Sequence, residues 1–270
     1  MSITIRDLKT YDEFLQVQAL HRIIWGLEEG LYPPLLNTAA NNGGLVLGAF
    51  DGEKMVGFSF AFLGRHPDNT LKLCSQTTGL LPEYRGQKLG ERLKWAQYDR
   101  AYAAGLHLIT WTVDPLEASN AILNFRKLGG ICQTYYENLY GEHFSIFGQG
   151  LPSDRLLVEW WLDQGRVSRL RRGEATTPFP PTGPIANPAA GQGHARQITG
   201  LDLSLDTPIV LVEIPADLQT IRQANLPLAR DWRLRTRQAF QTYFAHGYQI
   251  EDAFSIWADV ERQVFLVLKK

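Results

Sequence analysis

Leu80-Leu81-Pro82-Glu83-Tyr84-Arg85-Gly86-Gln87-Lys88-Leu89-Gly90 is the stretch whose reading decides the fold. The residues before it, Leu71–Leu81, form a β-favouring run that stops at Pro82, which cannot donate a sheet hydrogen bond. The residues after it, Leu89–Ala104, read as a helix stopped by Gly105. A turn from strand into helix leaves the first-turn N–H groups without intrahelical acceptors, and the helix dipole adds partial positive charge. Such a turn suits a pyrophosphate. Gly86 and Gly90 permit unusual dihedrals or close approach of a ligand to the backbone. An ordinary β–α turn has the same ingredients, so the segment alone leaves both readings open.

Upstream, Phe14, Val17, Leu20 and Ile24 make a helical stripe that stops at Gly26. Gly44–Phe50 and Lys54–Leu63 are β-rich runs joined across Asp51-Gly52, a hairpin signal. Downstream, Leu106–Val113 reads as a buried strand, and a helix from about Asn120 to Leu128 ends at Gly129-Gly130. This order of hairpin, strand, helix, strand and helix predicts an α/β fold with a mixed sheet flanked by helices.

Of the 270 residues 44% are hydrophobic, enough for one large core or two modest ones. The 27 Lys and Arg balance 28 Asp and Glu, so no basic field points to nucleic acid or anionic lipid. Cys74 and Cys132 make neither a disulfide framework nor a thiolate metal site, and the histidines have no metal-ligand spacing. With no signal peptide or membrane span in view, a soluble cytoplasmic protein with no membrane or nucleic-acid partner and no metal is expected.

The Pro-Glu-Tyr-Arg turn resembles the acyl-CoA signature of the GNAT superfamily, [Q/R]-x-x-G-x-[G/A] after a strand ending in Pro-Glu-Tyr. Arg85 and Gly90 match its ends, and Lys88 replaces its middle glycine. Asn120-Ala121-Ile122-Leu123-Asn124-Phe125-Arg126-Lys127-Leu128-Gly129-Gly130 is similar to the family helix N-x-x-A-x-x-[LF]-Y-x-K-x-G-F. Ala121, Lys127, Leu128 and Gly129 align, Asn120 is displaced by two positions, and Phe125 stands where a tyrosine often protonates the departing thiolate. The pattern around Trp111–Leu116, with the C-terminal extension, looks like a bacterial subgroup of large GNAT proteins. The resemblance implies an acyl-CoA co-substrate held by Leu80, Leu81, Arg85, Gly86, Gln87, Lys88, Leu89 and Gly90, with Asn120, Phe125 and Lys127. It also implies that the strand before the turn splays from its neighbour and pairs with the pantetheine arm near Leu80-Leu81. Relatives often dimerise, so a homodimer is among the states left open.

Amide formation from a thioester needs a neutral amine, an oxyanion stabiliser and proton traffic. Leu71–Leu81 contains no carboxylate. Asp114 and Glu117 are the candidate bases, Asp114 against a turn or helix-entry role before Pro115. Tyr135, Tyr136, Tyr140 and His143 are the candidate acids, against simple packing. Arg230, Arg233 and Arg237 recur on one helical face, either salt-bridged or forming a carboxylate clamp.

The resemblance implies an acyl-CoA-binding domain (1–150), and beyond it the sequence reads as a connecting helical segment (151–170), a Pro-rich linker (171–196) and a smaller C-terminal α/β segment (197–270). The leading function is an N-acyltransferase moving an acetyl or larger acyl group from CoA to a small amine, with amino acids in view. Its rivals are a non-catalytic acyl-CoA sensor, motivated by Lys88 and Phe125, and a protein N-acyltransferase whose C-terminal half docks the target.

Overall fold

The computed structural model describes residues 3–141, 150–174 and 180–270. They form two compact units: Met1–Trp111 with Trp160–Gln164, and Thr112–Glu159 with Gly165–Lys270.

The first unit runs β1 (Ile3–Asp7), α1 (Tyr11–Trp25), α2 (Pro33–Asn41), β2 (Leu45–Asp51), β3 (Lys54–Arg65), β4 (Leu71–Leu80), α3 (Leu89–Ala103) and the start of β5 (Leu108–Val113). β1 to β4 pair antiparallel in chain order, while β4 and β5 are parallel, so this sheet is mixed as expected. Thr10 and Glu13 close a capping box at the start of α1, and Gly26 ends the helix in the left-handed region. The predicted stripe Phe14, Val17, Leu20 and Ile24 is buried and joins Val56, Phe58, Phe60 and Leu93 in one core. α2 was not legible, because Pro33-Pro34 reads as a breaker. Proline is tolerated at the first positions of a helix, where its missing N–H would have no partner.

The second unit contains α4 (Ala118–Ala121) running into a π-helical turn (Ile122–Lys127), β6 (Ile131–Tyr136), β7 (Arg155–Trp161) and α5 (Gly165–Arg171). It continues with β8 (Ala189–Ala190), β9 (Gln197–Ile198), β10 (Ile209–Ile214), α6 (Leu218–Ala224), α7 (Leu226–Ala245), β11 (Gln249–Ala258) and β12 (Glu261–Lys269). Strands β7, β6, β11, β12 and β10 lie in that order, each antiparallel to the next.

Three boundaries differ from expectation. The compact units divide at Trp111, not at residue 150, because β6 pairs with β11 through Cys132 and Ile250 and so ties 112–159 to the C-terminal strands. The 197–270 segment is accordingly no separate small domain. The segment 151–170 is not one helical connector: Arg155–Trp161 is a strand that alternates half-buried and buried positions, and only Gly165–Arg171 is helical. The 171–196 stretch is no linker where it is described. Ile185 bridges Leu211, and Asn187 is buried with its amide bonded to both the N–H and the C=O of Glu213. Arg196 is buried in an ion pair with Glu213. Among the described residues no helix is long and apolar enough to cross a membrane.

Asp252, 1% exposed, accepts from Arg126 at 2.7 Å and faces Arg166 at 3.3 Å. Removing one partner of a buried ion network leaves the other charges uncompensated. Asp252→Asn should therefore cost about 3 kcal/mol, read as a lower denaturant midpoint. A chain ended at residue 170 loses β10, β11 and β12, and should expose the second unit's core to a hydrophobic dye.

Candidate active site

β4 follows β3 from Arg65↔Leu71 to Gly57↔Leu80, with Gln76 as the extra residue of a bulge between the Ala61↔Ser75 and Phe60↔Thr77 pairs. Its pairing with β5 is confined to Leu73↔Ile109 and Cys74↔Thr110. From Ser75 to Leu80 the edge facing β5 carries no strand partner among the described residues.

The chain then turns under firm anchoring. The Leu81 N–H donates to Val56 O at 3.0 Å, Pro82–Tyr84 forms a 3-10 turn, and the Tyr84 hydroxyl donates to Asp51 at 2.9 Å. Arg85, Gly86, Gln87 and Lys88 are exposed, and Leu89 tucks into the core. Gly86 has φ +74, and Lys88 is left-handed with φ +58 as the residue before the helix. The lysine thus adopts the backbone that the family glycine would favour, at a cost of about 1 kcal/mol. α3 has no side-chain cap, and the amides of residues 86–90 donate to no other group among the described residues. A Cβ on Gly90 would meet only Leu80 Cδ1 at 3.8 Å, so packing within the protein does not demand glycine there. Five amides beside Arg85 and Lys88 suit the charge and oxygen spacing of a pyrophosphate.

Asn120, Phe125 and Lys127 lie in the other unit. Asn120 and Lys127 are exposed, while Phe125 is fully buried in the π-helical turn, its carbonyl accepting from Arg166 at 2.8 Å.

Two of the second unit's candidates, Asp114 and Tyr135, are held in structural contacts. Asp114 accepts from the Leu116 N–H at 2.9 Å and from Arg233 at 2.6 Å, with Arg155 at 3.6 Å. Burial alone would raise its pKa, but Arg233, the Leu116 amide and Arg155 hold it below the usual carboxylate range. It is a counter-ion, not a base. Tyr135 donates to Asp154 at 2.6 Å, and burial with that carboxylate pushes its pKa far up, which removes it as an acid near neutral pH. Tyr140 meets Thr112 at 3.0 Å and lies under the Arg155 guanidinium. Tyr136 is 37% exposed, and His143 falls outside the described residues. The arginine face of α7 is salt-bridged: Arg233 to Asp114 and Arg237 to Asp154 and Glu137, while Arg230 is exposed. Arg155 meets the Asp114 carboxylate, not that of Asp154.

Sequence reasoning missed Lys94. An aromatic stripe on α3 packs Trp95 against Trp160 at 5.1 Å and stacks Tyr98 on Tyr102, which is itself exposed. Lys94, beside it, points inward and is 6% exposed. Its Nζ donates to Ser75 Oγ at 2.8 Å and sits 3.8 Å from the Trp111 ring centroid. Ser75 donates to Gln97 at 3.1 Å, Gln97 donates to Ser59 at 2.7 Å, and Ser59 meets Thr78 at 2.7 Å. No carboxylate among the described residues pairs with the amine. Burial lowers its pKa to about 7. The one legible signal was polar Ser59 and Ser75 on strands facing a helix that carries Lys94 and Gln97.

No protein-family model matches the sequence, and no curated protein matches it. Solved structures do match. The ribosomal-protein-S18-alanine N-acetyltransferase from Escherichia coli is 16% identical, with 61% of this chain and 96% of that one covered and a TM-score of 0.48. The NatC complex bound to Gag peptide and CoA gives 15%, 60%, 99% and 0.48 in the same order. An acetyltransferase of the GNAT family from Streptococcus pneumoniae gives 19%, 58%, 98% and 0.46. These likenesses are remote, and the roles assigned below rest on this chain's own geometry.

Lys94 carries a signature in stability. From pH about 7 to its unfolded value of 10.5 the unfolded chain holds a proton that the folded chain lacks, so stability should rise with pH across that window. Below it both states are protonated and the full cost of burying the cation remains. Urea midpoints between pH 7 and 9.5 should climb in the wild type, and Lys94→Met should remove Lys94's share of the climb.

Proposed function

We propose that this chain is an acyl-CoA-dependent N-acyltransferase that moves an acetyl or larger acyl group to a small amine, amino acids being the first acceptors to try. One observation carries the reading: a run of free amides at residues 86–90 opens an uncapped helix directly after a strand whose edge is unpaired from Ser75 to Leu80. The amides, with Arg85 and Lys88, would hold the pyrophosphate. The open edge offers N–H and C=O groups to an extended pantetheine arm, which carries amides of its own. Five residues of strand from Leu80 back to Ser75 span roughly 16 Å, a reach that would bring the thioester to where β4 and β5 part. The CoA-bound neighbour described above is in keeping with this reading.

Transfer then needs the amine to attack the thioester carbonyl from a fixed position, and positioning alone supplies much of the rate. Gly90→Val should weaken acetyl-CoA binding at least tenfold by calorimetry while leaving Tm within a few degrees. Its Cβ has room in the protein but would stand among the phosphate-binding amides. An unchanged Kd would remove this loop as the site. Thiol release from acetyl-CoA with a panel of amino acids and simple amines tests transfer itself. Binding without release on any acceptor would favour the sensor, and release only with protein substrates would move the acceptor to a polypeptide.

A further inference from the structure

The transfer reading above leaves open which group carries the proton: β4 offers no carboxylate, Asp114 is a counter-ion, Tyr135 is locked to Asp154, and Glu117 accepts from Gln219 in the second unit. The first unit contains one buried ionisable group in the right place. Cys74 and Thr110 are the last residues to pair across β4 and β5. The next residue on each strand is Ser75 and Trp111, and these two are the neighbours of the Lys94 amine. Nζ therefore sits at the apex where the strands separate. We propose that Lys94 is the catalytic proton carrier of this enzyme, taking the proton from the attacking amine and delivering it to the departing thiol.

The hydrogen bonds around it have a direction that suits this role. Gln97 uses its N–H to reach Ser59 and its C=O to accept from Ser75, so the Ser75 hydroxyl proton is committed. Ser75 can then only accept from Lys94. The amine is a donor in this chain of contacts, and its lone pair, when uncharged, is not consumed by it. Among the described residues no carboxylate pairs with it. In helical register on α3 the ionisable neighbours are Glu91 and Tyr98, and on β4 they are Lys72 and Cys74. None of the four pairs with the amine, while β3 and β5 contribute Ser59, Thr110 and the Trp111 ring. Burial alone sets its proton affinity, near neutrality, where a group can both take and return a proton. The Trp111 face stabilises the ammonium formed midway.

The step balances. The substrate amine's lone pair forms the C–N bond at the thioester carbonyl. Its excess proton passes to Lys94 Nζ. The C–S bond breaks with its electron pair on sulfur, and Lys94 returns the proton to give free CoA thiol and a neutral lysine.

The test uses the full chain with acetyl-CoA as the probe, the amine panel as acceptors, and Lys94→Met and Lys94→Arg as variants. Met matches the length of the stem without a buried cation, so this variant should melt at or above the wild-type Tm; Arg keeps a cation that does not deprotonate. Both are expected to bind acetyl-CoA with wild-type affinity, to lose at least 100-fold in thiol release, and to lack the acidic limb near pH 7 of the wild-type pH profile. Titration of the lysine Nζ by NMR in wild type against Lys94→Met should assign one amine titrating near 7. Turnover retained in Lys94→Met, a limb near 7 retained in either variant, or Lys94 titrating with ordinary lysines would each overturn the proposal. A wild type that binds acetyl-CoA but releases no thiol to any acceptor overturns it together with the transfer reading. A wild type that does not bind acetyl-CoA separately sinks the loop as the CoA site.

Discussion

β4 keeps β3 along its whole length and releases β5 after Cys74, and the open edge of the first unit depends on that unequal pairing. A strand can leave one neighbour only if the other holds it, and the nine pairs from Gly57↔Leu80 to Arg65↔Leu71 do so. The release has a local cause. Gln76 is an extra residue two positions beyond Cys74, and a bulge bends its strand and sharpens the twist. The far end is pinned to the β2–β3 hairpin, by the Leu81 amide on Val56 and by the Tyr84 hydroxyl on Asp51. The open strand edge thus leads directly, through an anchored turn, to the amides of residues 86–90.

The parts of this arrangement that follow from local chemistry were legible. Pro82 ends a strand, Gly86 permits a left-handed turn and Leu89 begins a helix whatever the rest of the chain does. The stripe of α1 and the Asp51-Gly52 hairpin belong to the same class. What escaped was order imposed from a distance. The Pro- and Gly-rich composition of 171–196 reads as a linker, yet Asn187 and Arg196 are fixed by Glu213, and no periodicity announces a polar contact across 26 or 17 residues. Arg155–Trp161 was hidden for a related reason. Its alternation is real, but adjacent Trp160-Trp161 and the charged Arg155 and Glu159 blur it without knowledge of its partner β6.

Two ways of burying charge separate the units. In the second, arginines and carboxylates are matched: Asp252 with Arg126 and Arg166, Glu213 with Arg196, Asp154 with Arg237, Asp114 with Arg233 and Arg155. Against the effect of burial, Arg233 and Arg155 hold Asp114 below the usual carboxylate range and the neighbouring carboxylates push Arg233 and Arg237 up, whereas burial raises Glu213 and lowers Arg166. Sequence reading treated Asp114 and Tyr135 as chemical candidates because residue type is visible and the counter-ion is not.

Lys94 breaks the pattern. A buried ammonium with a hydroxyl and an aromatic face for company, but no carboxylate, is worse for stability than an apolar side chain of the same length. Nothing in the packing of α3 requires it, since Leu89, Leu93, Trp95 and Ala96 already supply the apolar contacts of that face. A carboxylate placed beside it would relieve the cost of burial and at the same time hold the amine protonated, fixing it as a counter-ion like those of the second unit. Its absence keeps the amine close to neutrality in the one part of the sheet that opens. The unfavourable burial and the capacity to exchange a proton therefore have the same physical origin, and neither can be improved without losing the other.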